Sequence, residues 1–299
     1  MTPNTYNEWA SSHIWRAPEL PRTWPGRRYN PIATDFANAV KAFQIQALLK
    51  ADSKLGPATW SAMCKLLGKE TRGVDVSAYQ DQPSWEKVRA AGYEFAILKA
   101  TEGCNYTDPT FKRNAVEAPR AGLRTTFYHY GTPQVIAPGK TPAQDAIEEA
   151  RDFLDSFMDV PMPAHLSFTS SSKLRKADVW LDLEKPAPNI TPAQGWEWIN
   201  AWILTVEADG YAVGLYTKES WLDEEVYRYQ DLIKRCDGSL RPFWVARYGS
   251  NSGHPEPQYN PDDKVPEAWG TYDVWQFTSE GSVPGIEGRC DLNLATLLA

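Results

Sequence analysis

Two acids one residue apart give the first chemical lead. Trp180-Leu-Asp-Leu-Glu184 alternates strictly. In an extended strand alternate side chains share a face, so Asp182 and Glu184 project together while Leu181 and Leu183 take the other side. Like charges held side by side cost free energy. The usual relief is that one carboxyl keeps its proton at neutral pH, its pKa raised by its neighbour and by apolar walls. A protonated carboxyl beside an ionised one is the equipment of glycoside cleavage. An exposed edge strand with two solvated acids fits the same spacing, so the surroundings must decide.

Signatures of other chemistries are missing. Cys64, Cys104, Cys236 and Cys290 stand singly and far apart, without the paired spacing of a zinc ribbon or a redox dithiol, and read as reduced thiols. His13, His129, His165 and His254 are as scattered, which excludes a His-Glu-x-x-His metalloprotease. There is no glycine-rich phosphate loop of either common type and no Gly-x-Ser-x-Gly nucleophile elbow. Trp (13) outnumbers Phe (10), and Tyr reaches 14. A tryptophan offers a broad apolar face with one polar edge, suited to stacking under sugar rings, although core packing accounts for single tryptophans equally well. No apolar run approaches the ~20 residues of a membrane helix, and the start lacks a basic-then-apolar leader. Neither membrane insertion nor ordinary Sec export is expected.

The elements that must position the acids emerge from Gly73 onward. Eight candidate strands recur, at Gly73–Ser77, Phe95–Lys99, Thr125–Tyr130, Val179–Glu184, Ala212–Tyr216, Phe243–Arg247, Asp273–Phe277 and Arg289–Asn293. Helical stretches at Ser84–Ala91, Pro109–Ala121, Pro142–Phe157 and Pro192–Ala208 fit between the first five, and Glu219–Arg235 follows the fifth. Loops join the rest. The expected fold class is α/β, an irregular, TIM-like parallel βα barrel whose helices are missing near the C-terminal strands. In such barrels catalytic groups gather at the C-terminal strand ends. Asp75, Asp182, Glu184 and Asp291 stand there, with Lys99, Tyr128, Tyr130, Tyr216, Arg247 and Gln276 on the other strands. The long connection between the third and fourth strands, Pro133–Pro142 and the Ser-rich Val160–Ala177, is expected to form a lid or a wall of the cleft.

Charge divides the 299 residues in two. Residues 1–71 carry nine basic and five acidic side chains and the remainder 22 and 33, a net +4 part ahead of a net −11 part. In the first part Phe36, Val40, Phe43 and Ala47 recur at helical spacing. From Pro57, Trp60, Met63, Cys64 and Leu67 repeat until Gly68 closes the segment. A small all-α module over residues 1–71 is therefore expected before a barrel over residues 72–299.

The text of the module, Ala39-Val-Lys-Ala-Phe-Gln44 followed by Leu55-Gly-Pro-Ala-Thr-Trp-Ser-Ala62, resembles the peptidoglycan-binding repeat of cell-wall hydrolases. The barrel has a longer set of matching blocks. Gly73-Val-Asp-Val-Ser-Ala-Tyr-Gln80, Phe95-Ala-Ile-Leu-Lys-Ala-Thr-Glu-Gly103, Phe127-Tyr-His-Tyr130, Leu181-Asp-Leu-Glu184, Gly214-Leu-Tyr216, Phe243-Trp-Val-Ala-Arg-Tyr248, Val274-Trp-Gln-Phe277 and Cys290-Asp-Leu-Asn293 occur in that order. Together they strongly resemble glycoside hydrolase family 25, the muramidase-type lysozymes, many of them phage endolysins.

The resemblance implies cleavage of the β-1,4 bond between N-acetylmuramic acid and N-acetylglucosamine in peptidoglycan. Glu184 then matches the proton donor. Asp182 matches a second acid that either orients the sugar's 2-acetamido group as an internal nucleophile or helps activate water, and Asp75 and Asp291 match the remaining mouth acids. Tyr128 and Tyr216 match tyrosines lining the cleft at the cleaved sugar, and Lys99 and Glu102 fall in its binding region. Trp244, Trp275 and Gln276 are expected to extend the cleft floor, whereas His129 is expected to be packed. No metal or other cofactor is implied, and neither a nucleic-acid partner nor an oligomer. The resulting picture is a monomeric endolysin made without a signal peptide in a host cytoplasm, with holin-type release to the wall. Two other readings compete: a chitinase-like glycosidase, disfavoured by Trp180 where that motif has an aspartate, and a non-catalytic wall-binding structural protein.

Overall fold

Strand alternation sorts the second part of the chain into an inner and an outer layer. The computed structural model describes residues 34–46, 49–54, 59, 70–133, 136, 138–161, 166–168, 175–184, 190–218, 241–248, 251–255 and 273–296. In chain order its first elements are α1 (Thr34–Gln46), β1 (Glu70–Val76), α2 (Trp85–Ala90), β2 (Phe95–Glu102), β3 (Tyr106–Thr107), α3 (Phe111–Arg120), β4 (Arg124–Tyr130) and α4 (Pro142–Ser156). There follow β5 (Leu166–Phe168), β6 (Arg175–Ala177), β7 (Val179–Asp182), α5 (Pro192–Ala208), β8 (Val213–Lys218), β9 (Phe243–Ala246), β10 (Val274–Gly281) and β11 (Cys290–Thr296). The expected helix Glu219–Arg235 and, apart from Thr59, the segment from Pro57 to Leu67 lie outside the described residues.

Eight of these strands close a barrel. Parallel pairings join β1 to β2 and run on through β4, β7, β8, β9 and β10. The seam differs from the parallel ring expected, because β11 is antiparallel to both β10 and β1. Only Ser282–Arg289 separates β10 from β11. That is shorter than the dozen or more residues a parallel crossover needs, so the chain turns back as a hairpin. The reversal puts the start of β11 at the rim where the other strands end.

Side chains of opposite size fill the interior. Phe95, Ile97, Tyr128, Trp180, Tyr216, Trp244, Val274 and Ala295 form the inner cluster. Their sequence neighbours Ala96, Phe127, Leu181, Leu215, Val245, Trp275 and Leu294 belong to the outer core, which takes in α2, α3, α4 and α5. Gly73 and Gly214 leave room for the largest inner rings. A Cβ on Gly73 would collide with the Phe95 ring, and one on Gly214 would sit 2.5 Å from the Trp180 ring.

Identical local sequence produces identical helix starts. Thr141-Pro-Ala-Gln144 opens α4 and Thr191-Pro-Ala-Gln194 opens α5. In each the threonine side chain accepts the glutamine N–H, the glutamine side chain accepts the threonine N–H, and proline fills the first turn, where no N–H is needed. The two helices are bolted by Trp198, whose Nε1 donates to the buried Asp145 carboxylate (3.0 Å).

The long connection divides between the two ends of the barrel. Gly131 and Thr132 leave the end of β4 beside Asp182, whose main-chain carbonyl accepts the Gly131 N–H, and residues 134, 135 and 137 lie outside the described residues. The stretch after α4 leads back to the start of β7, and β6 packs Ala177 into the inner cluster beside Gly214. The β5–β6 pair is therefore at the floor, since a helix-to-strand connection returns to the rim opposite the site, and for these strands the expected lid or cleft wall is corrected; residues 162–165 and 169–174 lie outside the described residues.

In the first part, α1 carries a buried Gln44 that gathers the following turn. Its Nε2 donates to Asp52 Oδ1 (2.8 Å), the Lys54 carbonyl (2.9 Å) and Thr59 Oγ1 (2.8 Å), and its Oε1 accepts the Ser53 N–H (2.9 Å).

Gly214→Ala is expected to destabilise the barrel by about 1–3 kcal/mol, because the Trp180 ring has no free volume into which to yield. Chemical denaturation should register this as a lower midpoint with an unchanged m-value.

Candidate active site

The end of β7 is held open for chemistry by its neighbours. Asp182 is the last residue of the strand and is buried facing inward, while Leu181 and Leu183 join the outer core. Pairing to β8 outlasts the regular strand: Leu183 N–H donates to the Tyr216 carbonyl (3.0 Å) and Thr217 Oγ1 donates to the Leu183 carbonyl (2.6 Å). The alternation therefore carries on to Glu184, which is half-buried at the rim. Asp182 Oδ1 is buried without a hydrogen-bond partner.

Across the mouth, β1 and β11 place Asp75 opposite Asp291 in register. Asp75 Oδ2 accepts from Gln276 Nε2 (2.8 Å) and Asn293 Nδ2 (2.7 Å). Both amides are themselves oriented. Gln276 Oε1 accepts the phenols of Tyr216 (2.9 Å) and Tyr248 (2.6 Å), and Asn293 Oδ1 accepts Trp244 Nε1 (2.8 Å). Each amide thus has its oxygen occupied and its nitrogen directed at one carboxylate.

Burial dominates the electrostatics. It raises Asp182 well above the ordinary carboxyl range, with the charge of Glu184 adding and that of Lys99 opposing. Asp75 and Asp291 share a hydrogen bond and are both raised, Asp291 further. For Asp291 burial comes first and the Asp75 charge second; for Asp75 burial is offset by the amides of Asn293 and Gln276. Of the pair, Asp291 is the member held further towards its protonated form, by burial first and the Asp75 charge second. Burial likewise lifts Tyr128, Tyr216 and Tyr248, with the mouth acids adding, so the phenols remain hydrogen-bond donors.

The remaining expected residues divide by face. Tyr128 and Tyr216 are inward, packed against Trp244 with ring centroids at 6.1 and 4.2 Å. Lys99 pairs with Glu102 (2.6 Å) and lies near the rings of Tyr106 and Tyr130 (5.7 and 5.1 Å). Gln276 is inward, touching Asp75, so its neighbour Trp275 must face out. Trp275 packs in the outer core against Phe277 and donates from Nε1 to the Arg247 carbonyl (2.9 Å). The expectation that Trp275 extends the cleft floor is corrected by this alternation. Trp244 faces inward but is only 1% exposed, beneath Tyr128 and Tyr216, so it supports the floor without forming its surface. His129 is packed outside the barrel.

Two side chains of the site were not singled out from the sequence. Asn293 stands two residues after Asp291 and Tyr248 four after Trp244, each on its predecessor's face. Tyr130 stands two after Tyr128, and burial with the Glu184 charge raises its phenol. The period of two was the available signal. Among the described residues, no group of three or more His, Cys, Asp or Glu side chains is arranged to hold a metal ion, and no helix is long and apolar enough to cross a membrane.

Residues 74–286 match the family model of glycosyl hydrolases family 25. Over 240 residues the chain is 26% identical to lysozyme M1 of Streptomyces globisporus, covering 80% of this chain and 69% of that one. It is 26% identical over 225 residues to an autolytic lysozyme of Clostridium acetobutylicum, of which it spans 55%. Among solved structures, a bacterial lysozyme from Streptomyces coelicolor aligns with a TM-score of 0.53 at 27% identity, covering 75% of this chain and 90% of that one. The catalytic domain of endolysin ply40 from bacteriophage P40 of Listeria monocytogenes shares the fold, with a TM-score of 0.53 at 23% identity over 75% and 92% of the two chains.

The lifted Asp291 has a consequence for stability. The folded chain holds a proton there that the unfolded chain releases, so folding is favoured below the ordinary carboxyl range and loses that advantage as pH rises through the lifted value. Asparagine is neutral throughout. Asp291→Asn should therefore melt above the parent at pH 8, with the difference shrinking towards pH 4; a gap that does not change with pH would contradict the lifted Asp291 carboxyl.

Proposed function

The chain belongs to glycosyl hydrolase family 25, a glycoside hydrolase, and on that premise we propose that it is an N-acetylmuramidase. It cleaves the β-1,4 bond between N-acetylmuramic acid and N-acetylglucosamine in peptidoglycan. The observation that carries this reading is the buried, unpartnered oxygen of Asp182 beside Glu184. An orphaned buried acceptor is costly, and a substrate N–H removes that cost.

The proposed sequence begins when the 2-acetamido N–H of the muramic sugar donates to Asp182 Oδ1. That bond favours the ionised form of Asp182, and the proton which burial holds there passes to neighbouring Glu184. Glu184 gives it to the glycosidic oxygen as the bond to the anomeric carbon breaks. The acetamido carbonyl oxygen closes on that carbon from the opposite face, and Asp182 takes the amide proton. Water then opens the ring intermediate, Glu184 accepting the water proton and Asp182 returning the amide proton to nitrogen, and a hemiacetal end is left. Tyr128, kept protonated, is positioned to donate to the acetamido group, while the Tyr216 phenol keeps its donation to Gln276 Oε1 and lines the cleft. Asp75, held by two oriented amides, supplies fixed negative charge across the mouth, where positive charge develops.

The reading extends to an endolysin in which the basic first part delivers an acidic barrel to the wall after release from a host cytoplasm. Its support is the charge division at residue 71 and the wall-binding text of the module.

Glu184→Gln should reduce turnover of purified peptidoglycan by at least ~10³-fold, in line with loss of a general acid, while sedimentation with walls is retained. Wild-type-like lysis by this variant would remove the assignment. Reducing-end analysis of the parent's digest should show new muramic ends; new glucosamine ends point to the chitinase-like alternative, and no new ends to a structural protein. Deleting residues 1–69, which leaves β1 whole, should weaken sedimentation with walls and spare activity on soluble glycan chains.

A further inference from the structure

On the far side of β4 from the acids, a second polar cluster is sealed inside the layer between barrel and helices. His129 and Glu149 are both essentially without solvent contact. Glu149, on α4, accepts at one oxygen from Thr132 Oγ1 (2.6 Å) and meets Thr132 N–H (3.2 Å) and His129 Nε2 (2.8 Å) at the other. His129 Nδ1 lies 2.8 Å from Thr101 Oγ1 on β2, and its ring stacks on Trp202 of α5 at 5.3 Å. Threonine as donor to Nδ1, with Nε2–H donating to the carboxylate, satisfies every member.

Stability alone does not account for such a cluster. Buried ionic and polar groups are often replaceable by well-packed apolar side chains without loss. What an apolar side chain cannot do is fix three donors at once, and two of the three belong to Thr132. The preceding residue, Gly131, donates its N–H to the main-chain carbonyl of Asp182 (2.9 Å). A Cβ on Gly131 would lie 3.1–3.3 Å from Leu181, Trp198 and Leu183, so this main-chain approach to β7 has no slack. The adjoining turn is tied in as well, with Gly103 N–H donating to the Tyr130 carbonyl (3.1 Å).

We propose that Glu149 is a positioning residue for the hydrolysis, its carboxylate fixing Thr132 and, through Gly131, the place of Asp182 at the mouth. The inference rests on the hydrolase reading above. Displacements of about 1 Å at a reacting group are enough to cost ~10²-fold in rate, and this strut opposes such a displacement from outside the barrel.

The test compares two substitutions of the same cluster. Glu149→Leu removes the acceptor of both Thr132 donors and loosens the link to Gly131, whereas Thr101→Val removes one buried hydrogen bond on the side away from that link. Glu149→Leu should lower kcat on peptidoglycan at least tenfold with KM within twofold. It should also speed amide exchange at Gly131 while Val179–Leu181 stay protected. Thr101→Val should lower Tm with kcat within threefold. Wild-type kcat in Glu149→Leu, unchanged exchange at Gly131, or losses in the two variants that simply follow Tm would overturn the proposal. A parent without activity on peptidoglycan would instead remove the functional reading, and the exchange comparison would still decide whether the strut holds β7.

Discussion

Excluding water from carboxyl groups at one end of a closed barrel is the constraint on which the rest of the arrangement depends. Three acids are raised by burial before any neighbour acts on them. Each is handled differently. Asp75 receives two amide donors, Asp291 keeps a proton, and Asp182 is left with a bare oxygen. The three environments give acids of nearly equal intrinsic strength unequal roles.

Support for this inequality reaches well beyond the acids. Trp244 is an inner-core ring whose one polar atom orients Asn293, and Tyr216 and Tyr248 both orient Gln276. Packing and electrostatics therefore share the same side chains. The arrangement is specific because an amide turned the wrong way would set its oxygen against the Asp75 carboxylate. Such clusters lower the stability of a fold in return for a defined chemistry, as expected where function and folding compete for the same groups.

Much of this was legible in the chain. The Asp-x-Glu alternation placed Asp182 and Glu184 on one face, and the repeated Thr-Pro-Ala-Gln tetrapeptide marks both helix starts. The period of two, applied consistently, also separates Gln276 from Trp275 and brings in Asn293 with Asp291. Chain direction was harder to read. The hairpin length before β11 carries the reversal, and the rule that helix-to-strand connections return to the floor carries the position of Ala177, but neither is a property of a single residue. Long-range partners such as Glu149 and Thr132 leave no local pattern, since their meeting depends on how α4 lies across β4.

The Asp75–Asn293 bond joins residues 218 apart in the chain, across the seam between the first and last strands. Contacts so remote in sequence are late events in folding, because the loop entropy they must overcome exceeds that of any neighbouring pair. Six parallel junctions can be in place while the ring is still open and its rim acids remain solvated and ordinary. The coupled acidities of Asp75 and Asp291 need the last strand in place, so that a chain with the ring still open carries both side chains without their mutual influence.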